Sequence, residues 1–248
     1  MAHEENNEKL RETAVKLINE IAPEMGQELC EFFIVREICS LGYDPKPNVR
    51  QAVAKNLVSI SKCVSTDCFQ KTIFPLYKDT LTKDKEEKVR KQCADIVAEL
   101  TSVSPIDKTA TDIQILYHDF LMDPYSKIVR GTAFQNIGPF IACFKDHKKP
   151  IDEKIINYFI TTTEKTTSKD VMYYASINFP ALQKSVTQLL PGVQQRDLDN
   201  IQKALLDAIV AADVIEDDSL IDALSITRHE ACEDGKVIVR IRPYAKAM

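Results

Sequence analysis

One pattern returns along this 248-residue chain at an almost constant spacing, and that recurrence constrains the fold more than any single motif. Apolar-arginine pairs stand at Leu10-Arg11, Val49-Arg50, Val89-Arg90 and Val129-Arg130, successive arginines being 39, 40 and 40 residues apart, and Val171-Met172 follows 42 residues later. Three residues beyond each anchor come Ala14, Val53, Cys93, Ala133 and Ala175. Seven beyond come Ile18, Leu57, Val97, Ile137 and Phe179, and ten beyond come Ile21, Ile60, Leu100, Phe140 and Leu182. Those offsets fall on one face of an α-helix, so each unit predicts an amphipathic helix with a small residue near its start.

A second helical segment precedes the second, third and fourth anchored ones: "QELCEFFIVREICSLG", "DCFQKTIFPLYKDTLT" and "ATDIQILYHDFLM". Short polar turns separate the pairs, with Asn48 and Asp84 as expected N-caps, Glu87 completing a capping box, and Pro105 and Pro150 expected in first turns. Neither helix of a pair can bury its apolar stripe alone. Stacking on the next pair buries it, at roughly 1.5–3 kcal/mol for each large apolar side chain. The expected architecture is therefore all-α, an α-solenoid of helical pairs with a period of about 40 residues. Residues 1–190 are assigned to it as about five units, the first partial. Residues 191–212 are expected to form a capping helix, with Leu198, Ile201, Leu205 and Ile209 at helical spacing. Residues 213–248 are read as an acidic, poorly ordered tail that includes the strand-like "GKVIVRIRPY".

The stretches "TAVKLINEIAPEMGQEL", "DPYSKIVRGTAFQNIGPFI" and "YYASINFPAL", spread over about residues 8–185, resemble HEAT repeats. The flavour is that of the regulatory and scaffold subunits of the protein phosphatase 2A group, and within it those of phosphatase 4. The resemblance implies a non-catalytic subunit that docks a serine/threonine protein phosphatase catalytic subunit and positions substrate, further regulatory or substrate proteins being other partners. A HEAT-repeat adaptor for transport or assembly, unrelated to phosphatases, is the alternative.

Two sets of residues carry the site expectations. Asp44, Asp84 and Asp123 in the turns, with Arg50, Arg90 and Arg130 at the anchors, are read as a structural ladder of exposed pairs that sets how repeats stack. Tyr43, Lys46, Lys83, Lys85, Tyr125 and Lys127 are read as equivalent turn positions lining one edge, where the resemblance places the docking of a catalytic subunit. Tyr125 is the expected anchor, since aromatic side chains dominate many interfaces.

Catalysis is not expected. His118 and His147 have no matching nucleophile, hydrolase and phosphate-loop motifs are absent, and the acidic pairs Glu86-Glu87, Asp152-Glu153 and Asp217-Asp218 are adjacent, pointing apart on a helix. The six glycines are scattered and the seven cysteines show no CxxC pair, so no cofactor or metal is expected. A net charge of −5 gives no general attraction for nucleic acid or anionic membrane, and neither is expected as a partner. Eight acids and one arginine fall between Asp213 and Asp234 and read as solvated surface. No apolar run reaches membrane-spanning length, and the start lacks the regions of a signal peptide. A reduced, cytoplasmic location is expected, with nuclear residence also open to the protein.

Overall fold

The computed structural model describes residues 7–189, which are helical almost throughout, with no strand among them. The expected capping helix at 191–212, the acidic tail at 213–248 and its strand-like segment lie outside the described residues.

Helix α1 (Glu8–Met25) starts beneath Asn7, whose side chain accepts from the Leu10 N–H, and stops at Gly26 with φ of 75°. That left-handed conformation is accessible to glycine without a Cβ penalty. The chain then runs through α2 (Gln27–Leu29), a π-helical turn (Cys30–Ile34) and α3 (Val35–Gly42). Helix α4 (Pro47–Ser61) follows, with proline at its first position, where the missing N–H costs nothing. Next come α5 (Thr66–Cys68), two π-helical turns (Phe69–Ile73 and Leu76–Thr80) and a 3-10 turn (Leu81–Lys83). The rest comprises α6 (Glu87–Val103), α7 (Ile106–Leu121), α8 (Lys127–Gln135), α9 (Ile137–Asp146), α10 (Glu153–Lys165) and α11 (Lys169–Leu189).

Packing sorts these elements into two layers. The anchored helices form one: α1 lies on α4, α4 on α6, α6 on α8 and α9, and these on α11. The preceding segments form the other, with α3 against α4, the Leu81–Lys83 turn against α6, α7 against α8, and α10 against both α7 and α11. This layering of paired helices is that of an α-solenoid.

The core sits between the layers. The residues three, seven and ten beyond the anchors at Arg50, Arg90 and Arg130 are all buried, as are Ala175, Phe179 and Leu182. In the first unit Ile18 is half-buried and Ile21 is 50% exposed. The small residue three beyond the anchor has a visible cause in the two middle units. Tyr77 donates to the Cys93 carbonyl at 2.9 Å and Tyr117 donates to the Ala133 carbonyl at 2.6 Å, both tyrosines being fully buried. A larger side chain at 93 or 133 would stand where the ring must approach the helix backbone.

The fourth anchored helix is interrupted. Residue Asn136, at φ −97° and ψ 10°, separates α8 from α9, and Pro139 has no N–H to return to Gln135. Asn178 on α11 meets the groups freed by the break. Its Oδ1 accepts from Gly138 N at 2.9 Å, and its Nδ2 donates to the carbonyls of Gln135 at 3.0 Å, Phe134 at 3.3 Å and Tyr174 at 2.8 Å. A Cβ on residue 138 would fall 2.4 Å from that Oδ1, so glycine is what lets the asparagine approach.

Two expected N-caps are displaced. The helices begin from Lys46 and Glu86, leaving Asn48 inside α4 and Asp84 outside α6. The Asp84 carboxylate is held instead by an arginine 34 residues earlier, and it accepts from the Glu86 N–H ahead of the helix. Pro105 precedes α7 directly, whereas Pro150 lies before the Asp152 cap of α10 and outside the first turn.

Candidate functional site

The turns that enter the anchored helices are built on one repeated constellation. Arg11 donates from Nε to Asp44 Oδ2 at 2.6 Å and from Nη2 to Oδ1 at 3.0 Å. Arg50 does the same to Asp84 at 2.5 and 2.9 Å, and Arg90 to Asp123 at 2.8 and 3.4 Å. Each is a two-pronged guanidinium–carboxylate contact across 33 or 34 residues, the geometry that arginine makes best. Nη1 of Arg50 donates to the Asp44 carbonyl at 2.7 Å, and Nη1 of Arg90 to the Asp84 carbonyl at 2.8 Å. An arginine therefore binds its own turn through the backbone and the next turn through the carboxylate. Arg130 donates to the Asp123 carbonyl of its own turn. Arg11, absent from the expected set, makes the first rung.

These pairs are buried, contrary to the exposed pairs expected, because each is covered by the turns it joins. Side-chain exposure is 6% and 5% for Arg11 and Asp44, 10% and 5% for Arg50 and Asp84, and 9% and 7% for Arg90 and Asp123. Burial alone would raise the Asp84 carboxyl, but the Arg50 hydrogen bond, the Glu86 N–H and the charges of Arg50 and Arg90 outweigh it and hold it below the ordinary carboxylate range. Asp44 and Asp123 are lowered in the same way, by Arg11 with the Lys46 N–H and by Arg90 with the Tyr125 and Ser126 N–H groups, again against burial. All three carry full negative charge at neutral pH.

Fixed turns project their remaining residues outward. Tyr43 is 68% exposed and its hydroxyl accepts from Thr80 Oγ1 at 3.1 Å, while Lys46, Lys83, Lys85 and Lys127 are exposed. Lys83 lies 3.8 Å from Asp79, a solvated pair. A second polar chain runs along the same edge, Lys88 donating to Asn48 Oδ1 and Asn48 donating to Glu8 Oε1. Tyr125 is 87% exposed, with Met122 and Ile128 exposed beside it in sequence, and the Arg90 guanidinium lies 5.9 Å from its ring centroid.

The expected equivalence of the six edge residues does not hold. Asp44 and Asp84 stand six residues before their arginines, but Asp123 stands seven before Arg130. The Asp44 and Asp84 carboxylates accept from the helix N-cap residue two positions on, Lys46 and Glu86. Asp123 accepts from Tyr125 at 2.9 Å and also from the N-cap residue Ser126 at 2.8 Å. The third turn thus holds one extra residue, and the extra backbone carries Tyr125 outward. The Asp123–Arg130 spacing was the sequence signal of that insertion.

Among the described residues no group of three or more His, Cys, Asp or Glu is placed to hold a metal ion, and no helix is long and apolar enough to cross a membrane. An open cavity of about 470 Å³ beside the α1–α2 junction is lined by Ala22, Pro23, Gly26, Gln27, Ser59, Lys62 and Cys63. Cys93 is fully buried, and burial pushes its thiol well above its ordinary range, so it is protonated core.

Comparison with known proteins gives two different similarities. The chain is 27% identical over 161 residues to serine/threonine-protein phosphatase 4 regulatory subunit 1 of Rattus norvegicus, covering 60% of this chain and 17% of that protein. It therefore spans only a small part of the length of that relative. Residues 147–242 match the family model for the endodeoxyribonuclease RusA. Crossover junction endodeoxyribonuclease RusA of Aquifex aeolicus (strain VF5) is 38% identical over 60 residues, 24% of this chain and 47% of that protein. A solved engineered protein, the Northeast Structural Genomics Consortium target OR329, aligns with 85% of this chain at a TM-score of 0.44 and 14% identity.

The nuclease similarity overturns the expectation of a chain with no enzymatic part, and with it the exclusion of nucleic acid as a partner. The matched span takes in α10, α11, the expected capping helix and most of the expected tail. Its carboxylates include Asp197 and Asp199 in the expected capping helix and Asp213, Glu216, Asp217, Asp218 and Asp222, which were read as solvated charge; all lie outside the described residues.

Proposed function

We propose that the helical stack serves as a regulatory platform for a serine/threonine protein phosphatase of the phosphatase 4 type, holding its catalytic subunit along the edge formed by the turns. The similarity to the phosphatase 4 regulatory subunit carries this reading. The buried Arg–Asp pairs support it physically. They fix the turns from which Tyr43, Lys46, Lys83, Lys85, Tyr125 and Lys127 project, so an incoming surface meets ordered backbone and loses little entropy in the partner. Within the edge, Tyr125 is the anchor and Lys127 an adjacent positive charge.

Titrating the full chain against a purified phosphatase 4 catalytic subunit by calorimetry tests both parts. Binding that weakens at least tenfold in a Tyr125→Ala, Lys127→Ala variant of unchanged helicity is the expected result. Equal affinity in that variant moves the docking site elsewhere, and no binding by the parent chain removes the phosphatase reading.

The match over residues 147–242 favours a second activity in the same chain, cleavage of deoxyribonucleic acid by that segment. The carboxylates there are groups able to activate water or hold a cation against a phosphodiester. The purified full chain, incubated in magnesium buffer with a four-way DNA junction and with linear duplex, is expected to cut the junction. Absence of cleavage across a range of pH and divalent cations rejects this reading and leaves the platform untouched.

A further inference from the structure

The ladder of buried pairs stops one rung short of the last described turn. Arg11, Arg50 and Arg90 each send Nε and Nη2 forward to the aspartate of the following turn. Arg130 keeps the backward contact, from Nη1 to the Asp123 carbonyl, but forms no ion pair among the described residues. It is half-buried, where the other three arginines are buried.

The turn between α10 and α11 nevertheless has the backbone of the turns that hold carboxylates. Met172, in the anchor position, donates its N–H to the Ser168 carbonyl at 3.1 Å, as Arg50 does to Lys46 at 3.4 Å and Arg90 to Glu86 at 3.3 Å. Ser168 therefore stands where Lys46 and Glu86 stand. Its own N–H goes to the side chain two residues back, Thr166 Oγ1 at 3.1 Å. Those of Lys46 and Glu86 go in the same way to Asp44 Oδ1 at 2.7 Å and Asp84 Oδ1 at 2.9 Å. Thr166, at φ −81° and ψ 145°, is extended like Asp84, at −57° and 141°, and both directly follow a helical element. Glu164, 34 residues after Arg130, has the sequence spacing of a rung but lies inside α10. A threonine hydroxyl thus occupies the place of the carboxylate and offers the preceding arginine no charge. A phosphoryl group on that hydroxyl supplies it: about −1.5 to −2 charges and three acceptor oxygens, the pairing that a guanidinium makes best. The Ser168 N–H at the head of α11 adds a donor and favours negative charge there. Thr166 is half-buried between exposed Lys165 and Thr167 in a three-residue turn, within reach of a modifying enzyme.

We propose that Thr166 is a phosphorylation site, and that its phosphate pairs with Arg130 as the fourth rung, tying the turn before α11 to the turn before α8. A serine/threonine protein kinase transfers the γ-phosphoryl group of ATP. The Oγ1–P bond forms, the bond from phosphorus to the departing ADP breaks, and the hydroxyl proton goes to the base of the kinase. The site rests on the geometry of the repeat and not on the phosphatase reading. Mass spectrometry of the full chain, purified from its own cells with phosphatase inhibitors present, is expected to find phosphate on Thr166. Phosphate confined to Thr167 or Ser168, or absent from all three, overturns the proposal. The pairing is tested on the full chain with phosphothreonine genetically encoded at 166, with and without Arg130→Gln. With Arg130 in place the phosphate is expected to slow amide hydrogen exchange at residues 166–170 roughly tenfold, and with Arg130→Gln to leave it nearly unchanged. Phosphorus NMR is expected to show the second phosphate proton leaving at lower pH in the folded chain than in the same chain unfolded in urea. Exchange that ignores Arg130, or superimposable titrations, overturns the fourth rung. So does a melt that Glu164→Gln lowers as far as Arg130→Gln does, because the fork would then already hold a carboxylate.

Discussion

Replacing Asp84 with asparagine is the sharpest probe of the buried pairs. The change keeps the size of the side chain and an oxygen for the Glu86 N–H, but it removes the charge that faces Arg50. Two charge-assisted contacts at 2.5 and 2.9 Å are weakened at once. The guanidinium left behind has a side chain only 10% exposed, too little for water to take over the lost interaction. Breaking a buried pair from one side costs about 3–5 kcal/mol, more than the net value of the pair, because the remaining charge stays desolvated. A cost in that range is expected for Asp84→Asn by urea denaturation, with a similar cost for Arg50→Met. The double variant Arg50→Met, Asp84→Asn should cost clearly less than the two singles added, leaving a coupling energy of about 2 kcal/mol or more. Single costs below about 1 kcal/mol, or costs that simply add, would refute the reasoning and return the pair to the class of weak surface contacts.

Two other outcomes follow from the same structure. Because Asp44, Asp84 and Asp123 are held below the ordinary carboxylate value, their contribution is complete above about pH 4 and is lost as pH falls through the folded values. The melting temperature should therefore fall steeply below about pH 4, and Asp84→Asn should make the fall shallower; parallel curves for the two proteins would count against the linkage. At the break between α8 and α9, Asn178→Ala leaves Gly138 N and Gln135 O without their side-chain partner, expected to cost about 2–4 kcal/mol. Gly138→Ala should be destabilising alone and markedly less so when combined with Asn178→Ala, a comparison that thermal melts of the three variants decide.

The layers of helices are legible in the sequence because burial repeats with the helix period, and a period is a local property. Val53, Leu57 and Ile60 show it within ten residues, and all are buried. Positions set by distant partners are not local. Asp84 looks like an N-cap by spacing, yet Arg50 claims its carboxylate and the helix begins later. The outward carriage of Tyr125 depends on one inserted residue, visible only when the turns are aligned on both the aspartate and the arginine. Asn178 gives no sign of its role, since its partners are freed by a break more than 40 residues earlier. The similarity over residues 147–242 is not legible from the charge count between Asp213 and Asp234, because counting discards order.

The forward reach of each arginine also has a mechanical consequence. Along the edge of the turns, neighbouring units are tied by short directional bonds, with Nε–Oδ2 contacts of 2.5–2.8 Å, that resist stretching. Away from that edge the units meet through apolar side chains, whose attraction changes gently as surfaces slide. When such a stack flexes, the tied edge acts as its neutral line, keeping its length while the remainder opens or compresses. A partner seated on the turns rides a ruler of fixed pitch, and one seated across the helices feels the bending as a change in the spacing of its contacts.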